Sequence, residues 1–124
     1  MAKILIVDDE KETVELLRLL LDKETHEVFT ALGGDEALEV LKRQTPQLIL
    51  LDVTMPKMDG YTFMSHLQAE DATRDISVMI LTGREGMKDT FQEFTNVVDF
   101  IPKPFDIKEL RARVQLALEK GKTR

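Results

Sequence analysis

The chain contains no cysteine. A disulfide framework, a thiol nucleophile and a cysteine-ligated zinc or iron–sulfur centre are therefore excluded. There is no basic excess either: 17 Lys and Arg stand against 23 Asp and Glu, a formal net charge of −6. That balance argues against direct nucleic-acid binding by the domain. No apolar run approaches a membrane span. The start, Met1 to Leu5, leads into an apolar segment without signal-peptide architecture. The expected compartment is the cytoplasm, with no membrane partner. Internal repeats, low-complexity tracts and interdomain linkers are missing; only Gly121 to Arg124 reads as a frayed tail, a true terminus or the start of a linker. The 124 residues, 43% of them apolar, suit a single domain spanning 1–124 with a real core.

Short apolar runs alternate with helix-like segments. Ile4–Val7 reads as a buried strand, followed by a leucine-rich helix over Lys11–Asp22 with Val14, Leu17 and Leu21 on one stripe. His26–Ala31 is a second strand, less apolar and so nearer an edge. Gly33-Gly34 breaks the chain, and Asp35 is placed to cap a helix carrying Ala37, Leu38 and Leu41. Leu48–Leu51 is the most apolar strand, expected at the sheet centre. Asp59-Gly60 opens a helix with Phe63, Met64 and Leu67 inward. Ser77–Leu81 is a fourth strand, Met87, Phe91 and Phe94 mark a short helix, Val97–Ile101 is a fifth strand, and Ile107, Leu110, Val114 and Ala117 mark a last helix. Strict alternation predicts an α/β fold: a doubly wound, five-stranded parallel sheet with right-handed crossovers and helices on both faces.

Carboxylates stand where these strands end. Asp8 and Asp9 close the first run, Asp52 closes the third, and Asp59 follows a short loop later. A buried strand has no use for an unpaired charge inside it. At the strand exits, Asp8, Asp9 and Asp52 can converge in the crevice where open parallel sheets bind ligands. Three crowded carboxylates should titrate as a coupled set, with at least one reluctant to ionise. Such a cluster suits a hard divalent cation and offers one of its own carboxylates as a nucleophile. Taken singly, Asp8-Asp9 could merely cap a helix, Thr82-Gly83 could be an ordinary turn, and Lys103 a solvated loop lysine. The place of Lys103 after a strand, opposite the acids, favours an ion pair with Asp52. Asp59 reads as a helix cap. His26 and His66 have no partner at metal-ligand spacing and read as surface residues.

Together, Asp8-Asp9, Asp52, Met55-Pro56, Asp59-Gly60, Thr82-Gly83 and Lys103-Pro104-Phe105, in this order and at these places, resemble the receiver domain of two-component response regulators, the chemotaxis receivers among them. The resemblance runs from Lys3 to about Lys120. It implies the flavodoxin-like strand order 2-1-3-4-5. It implies Mg²⁺, with Mn²⁺ able to substitute, held by Asp9 and Asp52, by Asp8 directly or through water, and by the carbonyl of Thr54. Asp52 would take a phosphoryl group from a histidine kinase or phosphotransfer protein, with Lys103 as a second cation and with Thr82 and the Gly83 amide as phosphate contacts. Lys103-Pro104 is similar to the family's cis peptide bond. Phe100 stands where the family carries its switch aromatic, commonly Tyr. Thr54 and Arg84 flank the path of the water that ends the phosphorylated state. A downstream protein target would be met by the fourth helix, fifth strand and fifth helix. Asp99 and Arg113 carry part of the pattern of receivers that form a phosphorylation-dependent homodimer there; Arg113 and Glu109, four apart on a helix, share a face that could meet Lys88 or Asp99 of a second copy. Such a domain catalyses only its own phosphorylation and dephosphorylation.

Three departures and three rivals complete the reading. Phe100 lacks a hydroxyl. Pro102 interrupts the fifth strand, which suits an edge. Phe94 to Val97 lacks the usual glycine and is one residue short, with Asn96 expected to take its left-handed place. A haloacid-dehalogenase-like phosphatase needs a second Asp two residues after Asp52, where Thr54 stands. A receiver that has lost phosphorylation, serving only as an interaction module, is disfavoured by Asp9, Asp52, Thr82 and Lys103 together. A flavodoxin-like electron carrier is disfavoured because Asp8-Asp9-Glu10 would repel a flavin phosphate.

Overall fold

The computed structural model describes residues 2–24, 26–53, 59–83 and 87–122. Ten elements alternate: β1 Lys3–Val7, α1 Lys11–Asp22, β2 Glu27–Ala31, α2 Gly34–Leu41, β3 Leu48–Asp52, α3 Gly60–Ala69, β4 Ser77–Thr82, α4 Met87–Phe91, β5 Val97–Pro102 and α5 Ile107–Lys122. The strands form one parallel sheet in the order β2-β1-β3-β4-β5. β3, the most apolar run, is central and wholly buried. The mixed β2 and the proline-ended β5 are the edges, where a missing N–H disturbs no ladder.

The period of two along each strand divides the core between the sheet's faces. Leu5, Val7, Ile49, Leu51, Val78 and Ile80 pack with Ala37 of α2, with Phe63, Met64 and Leu67 of α3, and with Phe91 of α4. Ile4, Ile6, Leu48, Leu50, Met79 and Leu81 pack with Val14, Leu17 and Leu21 of α1 and with Leu110, Val114 and Ala117 of α5. Each of these large side chains contributes roughly 1.5–3 kcal/mol by leaving water. Among the described residues, no helix is long and apolar enough to cross a membrane.

Local chemistry sets the helix starts. Asp59 caps α3 as expected, its Oδ1 accepting from the Thr62 N–H at 2.8 Å. Gly60 follows because the chain passes against Val53: a Cβ there would lie 2.6 Å from Val53 Cγ1. The expected cap by Asp35 is not formed. Gly33 is the N-cap of α2, with no side-chain bond, and Asp35 lies in the first turn. There its charge still favours the helix dipole, while Glu36 Oε2 accepts from the Leu32 N–H at 3.0 Å.

The α4–β5 region departs most from the sequence pattern. α4 ends at Phe91, so Phe94 lies beyond it, in tight turns closed by Phe94 N–H to Phe91 O. A register shift between Val78 and Met79 pairs them with Val97 and Asp99, leaving Val98 as a bulge. The side chain of Asn96 is put to use. Nδ2 donates to Ile76 O and Oδ1 accepts from Gln68 Nε2, both at 2.9 Å. Tyr61 of α3 lies edge-on to Phe94, 5.1 Å between ring centres, contacts Phe91, and donates its hydroxyl to the Glu93 carboxylate.

Candidate functional site

Parallel pairing brings all the strand exits to one edge of the sheet. β1 leaves at Asp8, β3 ends on Asp52, β4 ends on Thr82, and β5 leads through Pro102 to Lys103. Asp8, Asp52 and Thr82 are buried, while Asp9 is exposed at the rim. Carboxylate oxygens of Asp8, Asp9 and Asp52 lie within 4.8 Å of one another. Asp8 does not cap α1 in the ordinary way; its Oδ1 accepts from the Glu10 N–H at 2.9 Å, which holds the turn out of the strand.

Lys103 reaches into this cluster. Its Nζ is 2.8 Å from Asp8 Oδ2, 3.5 Å from Asp52 Oδ2 and 3.6 Å from Glu10 Oε1. The expected pairing with Asp52 is present, but the shortest contact is to Asp8, the deeper acid, which has most to gain from a charged donor. Lys103 is placed from behind by its N–H donating to Thr82 O at 2.7 Å, and the Lys103–Pro104 bond is cis.

Asp8 is the acid reluctant to ionise. Burial pushes its pKa above the usual carboxylate value and the Asp52 charge adds to this, against the bonds from Lys103 and the Glu10 N–H. For Lys103, burial works against the charge. The hydrogen bond to Asp8 and the charges of Asp52, Asp8 and Glu10 outweigh it and hold the ammonium above its usual pKa. Among the described residues, Lys103 is shared by these three acids. The carboxylates of Asp8, Asp9 and Asp52 form an all-oxygen donor set that would fit a hard dication such as Mg²⁺.

Gly83 follows Thr82 at the surface, with open space where a side chain would be. Phe100 is half-buried against the α3–α4 side of the core. It borders a shallow cavity with Asp89, Phe91, Phe94 and Val97. Its main chain is bound by side chains: its N–H donates to Asp99 Oδ1 at 2.8 Å, and its carbonyl accepts from Arg113 Nη1 at 2.9 Å. Arg113 also lies 3.5 Å from Asp99 and 3.7 Å from Glu109, so the charges expected to cross between two copies are engaged within one. Thr54 and Arg84, with Met55 and Pro56, lie outside the described residues, as does the side chain of Lys88. Sequence reasoning missed Glu10 as a neighbour of Lys103; its only signal was a third acid directly after Asp8-Asp9.

The chain matches the response regulator receiver domain over residues 4–115. It belongs to that family. This receiver domain is 43% identical over 115 residues to the response regulator PleD of Caulobacter vibrioides, covering 92% of the chain and 25% of PleD. It is 34% identical to the DNA-binding dual master transcriptional regulator RpaA of Synechocystis, covering 97% of the chain and 50% of RpaA. The chain therefore spans a quarter to a half of these relatives. Among solved structures, a putative response regulator from Chloroflexus aurantiacus superposes with a TM-score of 0.87 at 32% identity, over 95% of the chain and 98% of that one. The chemotaxis response regulator CheY4 of Vibrio cholerae gives 0.85 at 28%, over 94% and 98%.

Proposed function

We propose that this receiver is a phosphoacceptor switch, acting in the cytoplasm as one domain over residues 1–124. The observation that carries the reading is the Lys103 ammonium set among Asp8, Asp52 and Glu10 at the strand exits. A carboxylate oxygen of Asp52 attacks the phosphorus of a phosphohistidine on a histidine kinase or phosphotransfer protein. The N–P bond breaks, its electron pair leaves with the imidazole nitrogen, and an acyl phosphate remains on Asp52. Lys103 balances charge on the transferred oxygens, and the Thr82 hydroxyl and Gly83 N–H donate to them. Asp8, Asp9, Asp52 and the Thr54 carbonyl would hold Mg²⁺ or Mn²⁺. When bound, the cation supplies charge neutralisation at the transferring phosphoryl group.

In this reading Thr82 moves toward the phosphoryl group and Phe100 turns inward. The α4–β5–α5 face then changes its protein partner, self-association across that face included. Thr54 and Arg84 set the lifetime: neither orients an attacking water as a carboxylate or amide does, so loss of the phosphoryl group is slow, and faster in Arg84→Ala. The test is intact mass after incubation with acetyl phosphate and Mg²⁺. The native chain should gain one phosphoryl group and Asp52→Asn none. Stoichiometric labelling of Asp52→Asn would refute the mechanism, and an unlabelled native chain would leave a pure interaction module.

A further inference from the structure

The carboxylate of Glu10 stands at the acid pocket and not on the helix that Glu10 opens. Glu10 is the N-cap of α1, yet its side chain makes no capping bond. Its backbone is extended, with φ −88° and ψ 107°, and the buried Asp8 carboxylate grips its N–H. The side chain is thereby held at the mouth of the acid pocket, 65% exposed and 3.6 Å from the Lys103 ammonium. Lys103 itself is 19% exposed. Among the described residues, Glu10 and the exposed Asp9 are the rim carboxylates beside the buried Asp52. Asp9 belongs to the metal set, whereas Glu10 is outside it and shares Lys103 with the two buried acids.

Resting on the acceptor reading above, we propose that Glu10 is a specificity-determining residue for the phosphodonor. It disfavours free, purely anionic donors and favours a phosphoryl group that arrives with positive charge beside it, as on a protein surface with a cation next to the phosphohistidine. The reason is Coulombic. Among the described residues, Asp8, Asp52 and Glu10 share Lys103. Glu10 stands at the mouth as a fixed negative charge, so each added negative charge on the donor is felt there. An exposed charge several ångströms from the reacting phosphorus changes a rate by roughly two- to fivefold per unit of donor charge at low ionic strength. Near 1 M salt, where the screening length falls to about 3 Å, the effect should vanish.

Two small donors separate the charge from everything else. At neutral pH acetyl phosphate carries one more negative charge than phosphoramidate, whose protonated nitrogen sits next to phosphorus. Labelling rates are compared at saturating Mg²⁺, with saturation fixed for each variant by its thermal shift. Glu10→Gln should raise the acetyl phosphate rate about two- to fivefold more than the phosphoramidate rate. Glu10→Asp, which keeps the charge, should restore the native ratio, and high salt should erase the difference. An equal change for both donors, a slower rate for both, or a ratio insensitive to salt would overturn the proposal. Those results would place Glu10 as a support for Lys103 and leave the acceptor reading intact. A native chain labelled by neither donor would overturn both.

Discussion

The two ends of the sheet bury polar groups equally deeply and treat them in opposite ways. At the amino ends of β4 and β5, Asn96 is 1% exposed, and its amide bridges Ile76 O and Gln68, whose Nε2 also reaches Arg74 O at 3.2 Å. The groups joined by that bridge are neutral and matched. At the carboxyl ends, Asp8 and Asp52 are 0% and 2% exposed and share one lysine. No buried side-chain nitrogen or oxygen among the described residues lacks a hydrogen-bond partner, so neither end is left open in that sense. Satisfaction of hydrogen bonds and balance of charge are thus separate conditions. The amino end meets both and only holds the fold. Among the described residues the carboxyl end meets the first alone, with more carboxylates than cations, and a cation could relieve that excess.

The largest effect is expected at the neutral end. Asn96→Ala strands the Ile76 carbonyl and the Gln68 amide, and should cost about 2–3 kcal/mol in urea denaturation. The loss should be the same in EDTA and in Mg²⁺; a loss that depended on the metal would tie the two ends together. Next, Mg²⁺ at a hundred times its dissociation constant should stabilise the native chain by about 2.7 kcal/mol. Asp9→Asn should lose most of that, and identical melting curves in EDTA and Mg²⁺ would remove the metal from the site.

A smaller change sharpens the contrast. Asp8→Asn should raise stability without metal at pH 7, read as a higher melting temperature in EDTA. The sign follows from the raised pKa of Asp8. Its contribution is fully present below the ordinary carboxylate value and is lost as pH rises through the raised one. The advantage of the variant should therefore shrink on acidification; an advantage independent of pH would assign it to packing. Lys103, also raised, keeps its contribution until pH climbs past the ordinary lysine value. The smallest effect concerns self-association. Arg113 is already held by Asp99 and Glu109, and exposed ion pairs contribute only ~0–1 kcal/mol each. A dimer formed with beryllofluoride should be weak, detectable by sedimentation at tens of micromolar, and lost in Arg113→Ala.

The alternation of strands and helices and the acid cluster were legible because both are written locally, whereas the sheet order came only with the family resemblance. Short aliphatic runs ending on Asp8, Asp52 and Thr82 place strand and exit in one stretch of chain. What could not be read depends on groups distant in sequence. Lys103 chooses Asp8 over Asp52 through depth of burial. The side chain of Asn96 is explained by Gln68 and Ile76, not by its neighbours. The bulge at Val98 exists only relative to β4. Asp35 was the expected cap, but α2 begins two residues earlier than that cap requires, with Gly33 as its N-cap, and leaves Asp35 in its first turn.

The chain has one tyrosine and no tryptophan, and that tyrosine spans α3 and the segment after α4, its hydroxyl on Glu93 and its ring against Phe91 and Phe94. Optically, the molecule therefore carries a single built-in reporter. A carboxylate accepting from the phenol quenches tyrosine emission and, here, holds the phenol above its usual pKa. Any rearrangement that draws Glu93 or the two phenylalanines from Tyr61 should brighten the protein, so movement of that face can be followed in unlabelled protein with an ordinary fluorimeter.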